Sequence, residues 1–423
     1  MVVSVIIQLV NVPYFLMNPA LGIILMIVTL AAIGGGIVIP VLPSLLHELS
    51  ATESVASQYG MLLAIYALAQ CLCSSMLGAL SDRFGRRPML LASLIGATID
   101  YAVMAIVPSL WVLIIGRLVA GMTSANLVVA TAYLADIAPS GQRASHYGYL
   151  HACFGLGLVA GPALGGLLSQ ASLRYPFMFA ALLSALTFVL AWRALPESHH
   201  PHRRALAWKE IHPFAALQGV IRHTGVLPLL AVFFIIALAG RIPHSLWPIY
   251  NENRFGWDPR MIGMSLAVFG LLRALTQSLM VKPASARLGE RRAILLGLGI
   301  EGLAYVIMAF ASRGWVVFAV MPMLVTGGIV LPTLQALLSR RVAQDKQGEL
   351  QGALASVLSL VGGIGPLVAT TLYALSYASW TGWVWLVGAL LLLGGMLRLN
   401  RLLRQWTAPD LNANQPSRQL SGT

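Results

Sequence analysis

The chain has 423 residues, 58% of them apolar and only 10% charged. Soluble domains carry about 25% charged residues, so this composition excludes an ordinary water-soluble enzyme and points to a chain that lies mostly in lipid. The net charge of +13 would suggest nucleic acid in a soluble protein, but here Lys and Arg fall in short clusters between long apolar runs, as loops facing anionic lipid do. Membrane lipid is therefore the expected partner, nucleic acid is not, and no obligatory protein partner is evident.

At ~20 residues per spanning helix, the apolar content supports about twelve spans and leaves little for a soluble domain. Residues 1–20 are apolar, but no Lys or Arg precedes Arg83, so the charged start of a secretory signal is missing. They read as an N-terminal extension, with Met17 an alternative start. Apolar runs bounded by Gly, Pro or charge then predict spans near Leu21 to Leu42, Gly60 to Leu80, Met89 to Val107, Trp111 to Ala135, Tyr147 to Leu168 and Phe177 to Leu195. Six more are predicted near Val226 to Trp247, Met261 to Val281, Ala293 to Ala311, Trp315 to Leu338, Leu350 to Tyr377 and Trp383 to Leu399. This gives an N-terminal six-helix bundle at 21–196, a cytoplasmic loop at 197–224, a C-terminal six-helix bundle at 225–400 and a disordered cytoplasmic tail at 401–423. His199, His200 and His202 read as a solvated run within the loop rather than a metal site. Cys71, Cys73 and Cys153 sit in apolar segments without the spaced partners of a zinc or redox site.

Charge fixes the expected orientation. Twenty of the 27 Lys and Arg fall in loops on one side, whereas Arg174, Arg254, Arg260 and Arg313 fall on the other, and Arg117, Arg241 and Arg273 lie within spans. Both termini are therefore expected in the cytoplasm. The halves repeat: the loop after span two reads Ser81-Asp82-Arg83-Phe84-Gly85-Arg86-Arg87, and that after span eight reads Ser285-Ala286-Arg287-Leu288-Gly289-Glu290-Arg291. The expected fold is an all-α integral membrane protein with twelve transmembrane helices in two bundles related by pseudo-symmetry. Secondary transporters use such duplication to build a midplane site between two rocking bodies.

Ionisable groups inside spans are functional candidates because each is costly in hydrocarbon when unpaired. The midpoint between Asp100 in span three and Arg117 in span four falls at the turn Pro108-Ser109, which sets the two at equal depth. Arg273 in span eight and Glu301 in span nine have their midpoint at Arg287 and repeat the arrangement. Two readings stand: permanent salt bridges that orient helices, or carboxylates that gain and lose a proton as the cavity opens to each side. The second makes Glu301, Arg117, Asp100 and Arg273 a proton-coupling set. Gln70, Asn126 and Gln277 are polar spots that either bind substrate or link helices. No nucleophile, metal cluster or nucleotide-binding loop stands in the sequence, so neither an enzyme nor an ATP-driven pump is expected, and no resident metal or cofactor.

Two segments carry a family resemblance. Gly78-Ala79-Leu80-Ser81-Asp82-Arg83-Phe84-Gly85-Arg86-Arg87 resembles the signature loop of the major facilitator superfamily, and it sits where that family places it, between spans two and three. A tight glycine turn there presents Asp82 and the arginines as a latch between bundles, the simpler reading being arginines that only hold the loop inside. Gly157, Gly161, Pro162 and Gly165 in span five resemble the glycine-proline motif of the antiporter branch. The glycines share one helix face, where they suit close packing and gating alike. Leu113-Ile114-Ile115-Gly116-Arg117 resembles the fourth-span motif whose arginine is associated with proton transfer.

Together with Pro40-Val41-Leu42-Pro43, Asp100-Tyr101, Asn253-Arg254-Phe255-Gly256-Trp257 and Gly365-Pro366, these stretches are similar to the tetracycline/proton antiporters of Gram-negative bacteria, from about Leu25 to Leu399. The resemblance implies a drug exporter of the bacterial inner membrane that exchanges a tetracycline chelate for a proton, a divalent cation such as Mg travelling with the drug. It also implies departures. Leu30-Ala31-Ala32 lacks the family's first-span aspartate, Glu301 stands for an aspartate, and Arg273 replaces a titrating histidine with a permanent cation. Thr123-Ser124-Ala125-Asn126-Leu127-Val128 is bulkier and more polar than its counterpart. Export of another drug, a metabolite or a sugar is the second reading.

Overall fold

In hydrocarbon every backbone N–H and C=O must find its partner within the protein, and a continuous apolar chain achieves this by becoming helical. The computed structural model describes residues 19–49, 55–106, 109–124, 126–139, 142–198, 227–340, 342 and 347–406. Within them twelve helices are long and apolar enough to cross a membrane. The first six are Pro19–Leu49, Val55–Ser74, Arg86–Ile106, Leu110–Ile137, Ser145–Leu168 and Tyr175–Ala194. The second six are Leu227–Phe255, Pro259–Met280, Ala286–Phe310, Gly314–Ser339, Leu350–Ser376 and Trp383–Arg404. They are numbered below as spans one to twelve. Residues 1–18, most of the inter-bundle stretch with its three histidines, and the chain beyond 406 lie outside the described residues.

The largest differences from the expected boundaries have local causes. Span one continues to Leu49 through Pro40 and Pro43, and span seven reaches Phe255 through Pro243 and Pro248. Inside a bundle, neighbouring helices hold a proline-interrupted helix on course. The last helix runs to Trp406, six residues into the stretch expected as tail. Its Leu399 and Leu403, four apart, are buried while Arg401 and Arg404 are exposed, so one turn-spaced stripe carries the helix onward.

The repeat seen in the sequence is also present in the backbone. Gly85 and Gly289, at corresponding positions of the two basic loops, both adopt positive φ, +102° and +74°. A side chain would strain that conformation, which is why the turn keeps glycine in both copies. Span four is interrupted at Ser124, whose ψ of 79° leaves the helix, and span ten is interrupted by a 3₁₀ turn at Gly327–Ile329. Gly328 lies as far beyond Ser124 as Ser285 lies beyond Ser81. The same spacing relates two ion pairs of opposite polarity: Arg86 Nε to Asp136 Oδ2 at 3.1 Å, and Arg340 Nη2 to Glu290 Oε1 at 2.9 Å.

Lipid offers little drive for helices to associate, so close backbone packing and interhelical hydrogen bonds hold the bundles. Span five rests on span one through Gly157, Gly161 and Gly165. A Cβ on any of them would press into the backbone at Thr29, Ile33 or Ile37, again one turn apart. The second bundle relies more on aromatic packing, with buried Trp247, Tyr250, Tyr305, Tyr373 and Trp385. Tyr250 and Tyr305 donate to the carbonyls of Met308 and Ala239 at 2.8 and 3.0 Å. Trp111, Tyr175, Trp315 and Trp383 start spans four, six, ten and twelve at the end opposite the basic loops, and all are exposed. They form the aromatic girdle expected at a membrane–water boundary.

The two bundles converge at that girdled end. Ser44 Oγ of span one donates to Glu252 Oε1 of span seven at 2.8 Å. Gly60 faces the Thr370 side chain, and Gly166 lies on the Pro259–Arg260 backbone. At the basic end the loop is tied to its own bundle: Arg86 pairs with Asp82 at 2.5 Å as well as Asp136, and its backbone N–H donates to Glu197 Oε1 at 2.8 Å. Arg87 donates to the carbonyl of Trp192.

Candidate functional site

A cavity of about 680 Å³ lies between the bundles, walled by spans one to six on one side and by spans seven and eleven on the other. That volume is in the range of drug-sized pockets. Asp100, Arg117, Gln70 and Asn126, all singled out from sequence, line it, and so does Ala31.

The first-bundle wall is an ordered polar network. Arg117 donates through Nε to Asp100 Oδ1 at 3.3 Å and forms an ion pair with Oδ2 through Nη2. Asp100 is 1% and Arg117 7% exposed, so both charges are withdrawn from water and the pair neutralises itself. The guanidinium also stands over the Tyr66 ring, 5.2 Å from its centre. The break at Ser124 turns its hydroxyl toward span two, where it lies 2.8 Å from Tyr66 Oη and accepts from Gln70 Nε2 at 2.8 Å. Asn126 follows the same break, and its Oδ1 is buried without a hydrogen-bond partner among the described residues.

The second bundle differs from expectation. Arg273 and Glu301 make no ion pair within 4 Å among the described residues; Arg273 Nη1 instead lies 3.1 Å from His244 Nε2. Glu301, 8% exposed, accepts from Tyr305 Oη at 3.4 Å and packs against Gly327. Spans three and four pack side by side, so equal depth becomes contact. Spans eight and nine do not, because span ten packs on both and its 3₁₀ turn at Gly327–Gly328 separates the two side chains. Arg273, Glu301 and Gln277 do not line the cavity, and Gln277 lies against Gly328.

Two further lining residues are not among the site candidates, although the sequence places Arg241 within a span. Arg241 and His244 reach the cavity from span seven. Their signal was the spacing in Gly240-Arg241-Ile242-Pro243-His244, which puts both on one helix face. Ser124 and Tyr66 were also missed, since a helix break inside an apolar run leaves little mark in composition.

Two half-bundles in the membrane, mirrored breaks in their fourth helices and a charged chamber between them define a membrane transporter of the duplicated, twelve-span kind. The chain belongs to the Major Facilitator Superfamily, whose profile matches residues 24–258 and 229–420. Within it the chain belongs with the tetracycline resistance proteins. It is 51% identical over 384 residues to the class C protein of Escherichia coli, covering 91% of this chain and 97% of that one. It is 49% identical to the class G protein of Vibrio anguillarum, covering 88% and 94%. Its fold is shared by the crystal structure of the nucleoside transporter NupG, with a TM-score of 0.74 at 14% identity, covering 90% of this chain and 99% of that one. A bacterial homolog of the human lysosomal transporter Spinster gives 0.69 at 16% identity, covering 90% and 94%.

Proposed function

We propose that this protein exports tetracycline, as a divalent-metal chelate, or a related amphipathic drug across the bacterial inner membrane in exchange for protons, with both termini in the cytoplasm. The observation that carries the reading is the identity with tetracycline resistance proteins over nearly the whole chain, joined to a drug-sized chamber lined by an intramembrane charge pair. The basic loops set the cytoplasmic side. The bundles meet at the other end, which supports reading this conformation as the cytoplasm-facing half of an alternating cycle.

Coupling needs a group that gains and loses a proton while buried. Asp100 is engaged by Arg117, whereas among the described residues Glu301 has only the Tyr305 hydroxyl as a hydrogen-bond partner; Glu301 is thus the main proton carrier. Arg117 and Asp100 orient the cargo wall, and Gln70 and Asn126 supply hydrogen bonds to the cargo. Asp82, Arg83, Arg86 and Arg87, around the Gly85 turn that ends the helix carrying Gly78, act as the latch that engages the second bundle when the chamber opens outward.

The test is a susceptibility panel in a drug-sensitive, efflux-deleted host, setting tetracyclines beside unrelated cationic and neutral compounds. Protection against tetracyclines that vanishes when the pH gradient is collapsed is the expected result. No protection against any tetracycline would overturn the cargo assignment, and protection indifferent to the gradient would overturn the coupling.

A further inference from the structure

The two walls of the cavity are electrically unlike. On the first bundle Asp100 and Arg117 cancel. On the second, Arg241 lines the cavity with no ion pair or hydrogen bond among the described residues. His244 lines it too, and Arg273, outside the cavity, lies 3.1 Å behind it through Nη1 to Nε2. A guanidinium only donates hydrogen bonds, so His244 Nε2 is the acceptor and the imidazole is the neutral Nδ1–H form. The wall therefore presents one cation, Arg241, and a neutral imidazole backed by a second cation, Arg273, that stands outside the cavity, and no carboxylate. Glu301 lies outside the cavity, against the Gly327 turn and Tyr305.

The local backbone is shaped to hold this arrangement. Arg241 runs along span eleven where Gly362 and Gly365 leave room: a Cβ on Gly365 would come within 3.0 Å of the arginine's Cβ and Cγ, and one on Gly362 within 3.4 Å of Nη2. Arg273 lies three residues before the π-helical turn Thr276–Met280 in span eight. Such turns place a side chain off the regular helical register. An unpaired cation within a membrane span is costly, and an anionic ligand removes that cost.

We propose that Arg241 and His244, with Arg273 held behind the imidazole, form an anion-binding subsite that receives the deprotonated acidic group, a carboxylate or an enolate, of an amphipathic organic cargo. The aromatic or alicyclic body of the cargo lies along the apolar first-bundle wall at Ala31 and Leu158. The inference rests on the cavity being the cargo chamber and not on which drug is carried.

The probes are fluorescein, an amphipathic carboxylate and phenolate, and rhodamine 6G, a cation of the same ring system, titrated against the purified full-length protein in lipid nanodiscs. The wild type is expected to bind fluorescein at least about tenfold more tightly than rhodamine 6G, as charge-assisted hydrogen bonding to arginine predicts. Arg241→Gln is expected to weaken fluorescein about tenfold or more without weakening rhodamine 6G, and Arg241→Lys to restore part of the loss. Should Arg241→Gln fail to fold, Arg273→Gln, which is not packed into the glycine groove and acts from behind His244, is expected to show a smaller loss that again falls on fluorescein alone. Equal affinity for the two dyes, or equal weakening of both in either variant, overturns the subsite. Charge selectivity without tetracycline protection in cells overturns the cargo reading and leaves the subsite standing; tetracycline protection without charge selectivity does the reverse.

Discussion

Asp100 and Arg117 show why a buried charge pair tests differently from a surface one. Removing Arg117 leaves Asp100 alone at 1% exposure, a loss of about 3–5 kcal/mol for a buried, half-deleted pair. Arg117→Ala is therefore expected to lower the thermal midpoint and yield of the solubilised protein, and the double change Asp100→Asn with Arg117→Gln to recover much of both. Glu301 has the opposite profile, since its carboxylate has only a hydroxyl as a hydrogen-bond partner. Glu301→Gln is expected to keep normal abundance yet abolish drug-dependent proton movement in proteoliposomes, while Glu301→Asp keeps it in part. Unchanged exchange in the glutamine variant would reject the proton-carrier role. The first pair was legible because spans three and four are joined by a short turn and pack together. The second was half legible: sequence spacing gave the depth of Arg273 and Glu301 but not the helix that stands between them. Arg241 and His244 share a helix face in the sequence but have no complementary charge to read along the chain, so the assembled cavity is what shows them facing a common space.

At the scale of elements, glycine spacing carried more meaning than apolar content. Apolar runs located all twelve spans, but their ends drifted wherever a proline was tolerated inside a bundle, because tertiary neighbours and not local propensity decide that outcome. The breaks at Ser124 and Gly327–Ile329 were invisible for the same reason. The glycine ladder in span five makes a sharp prediction. Gly161→Val would drive a branched side chain into the Ile33 carbonyl and Gly36, and is expected to lose most of the folded protein in size-exclusion chromatography. Gly155→Ala, with nothing within 4 Å of its added carbon, is expected to be neutral. If both behave alike, the ladder is not what holds spans one and five together.

For the whole molecule, function requires that the contacts at the girdled end break and re-form. Gly60 lies so close to the Thr370 side chain that a larger residue cannot share the space. Gly60→Leu is expected to fold, bind cargo and fail to exchange it, measured as retained dye binding with background transport in proteoliposomes. Loss of binding together with transport would place that contact in the cavity's architecture and not in its gate. Asp82→Asn is expected to slow the exchange cycle more than it weakens cargo binding, and equal loss of both would count against the latch. Both tests separate movement from recognition, which a single static arrangement of two bundles leaves joined.

The opposite polarity of the Arg86–Asp136 and Glu290–Arg340 pairs has a consequence for anyone recombining the two copies. Transplanting the first basic loop into the second position would set Arg86 against Arg340, and the reciprocal graft would set Glu290 against Asp136, so repulsion would replace attraction at both anchors. Only a graft that carries loop and anchor together would be tolerated. The duplicated ancestor has thus been preserved as geometry while its descendants have become chemically non-exchangeable parts.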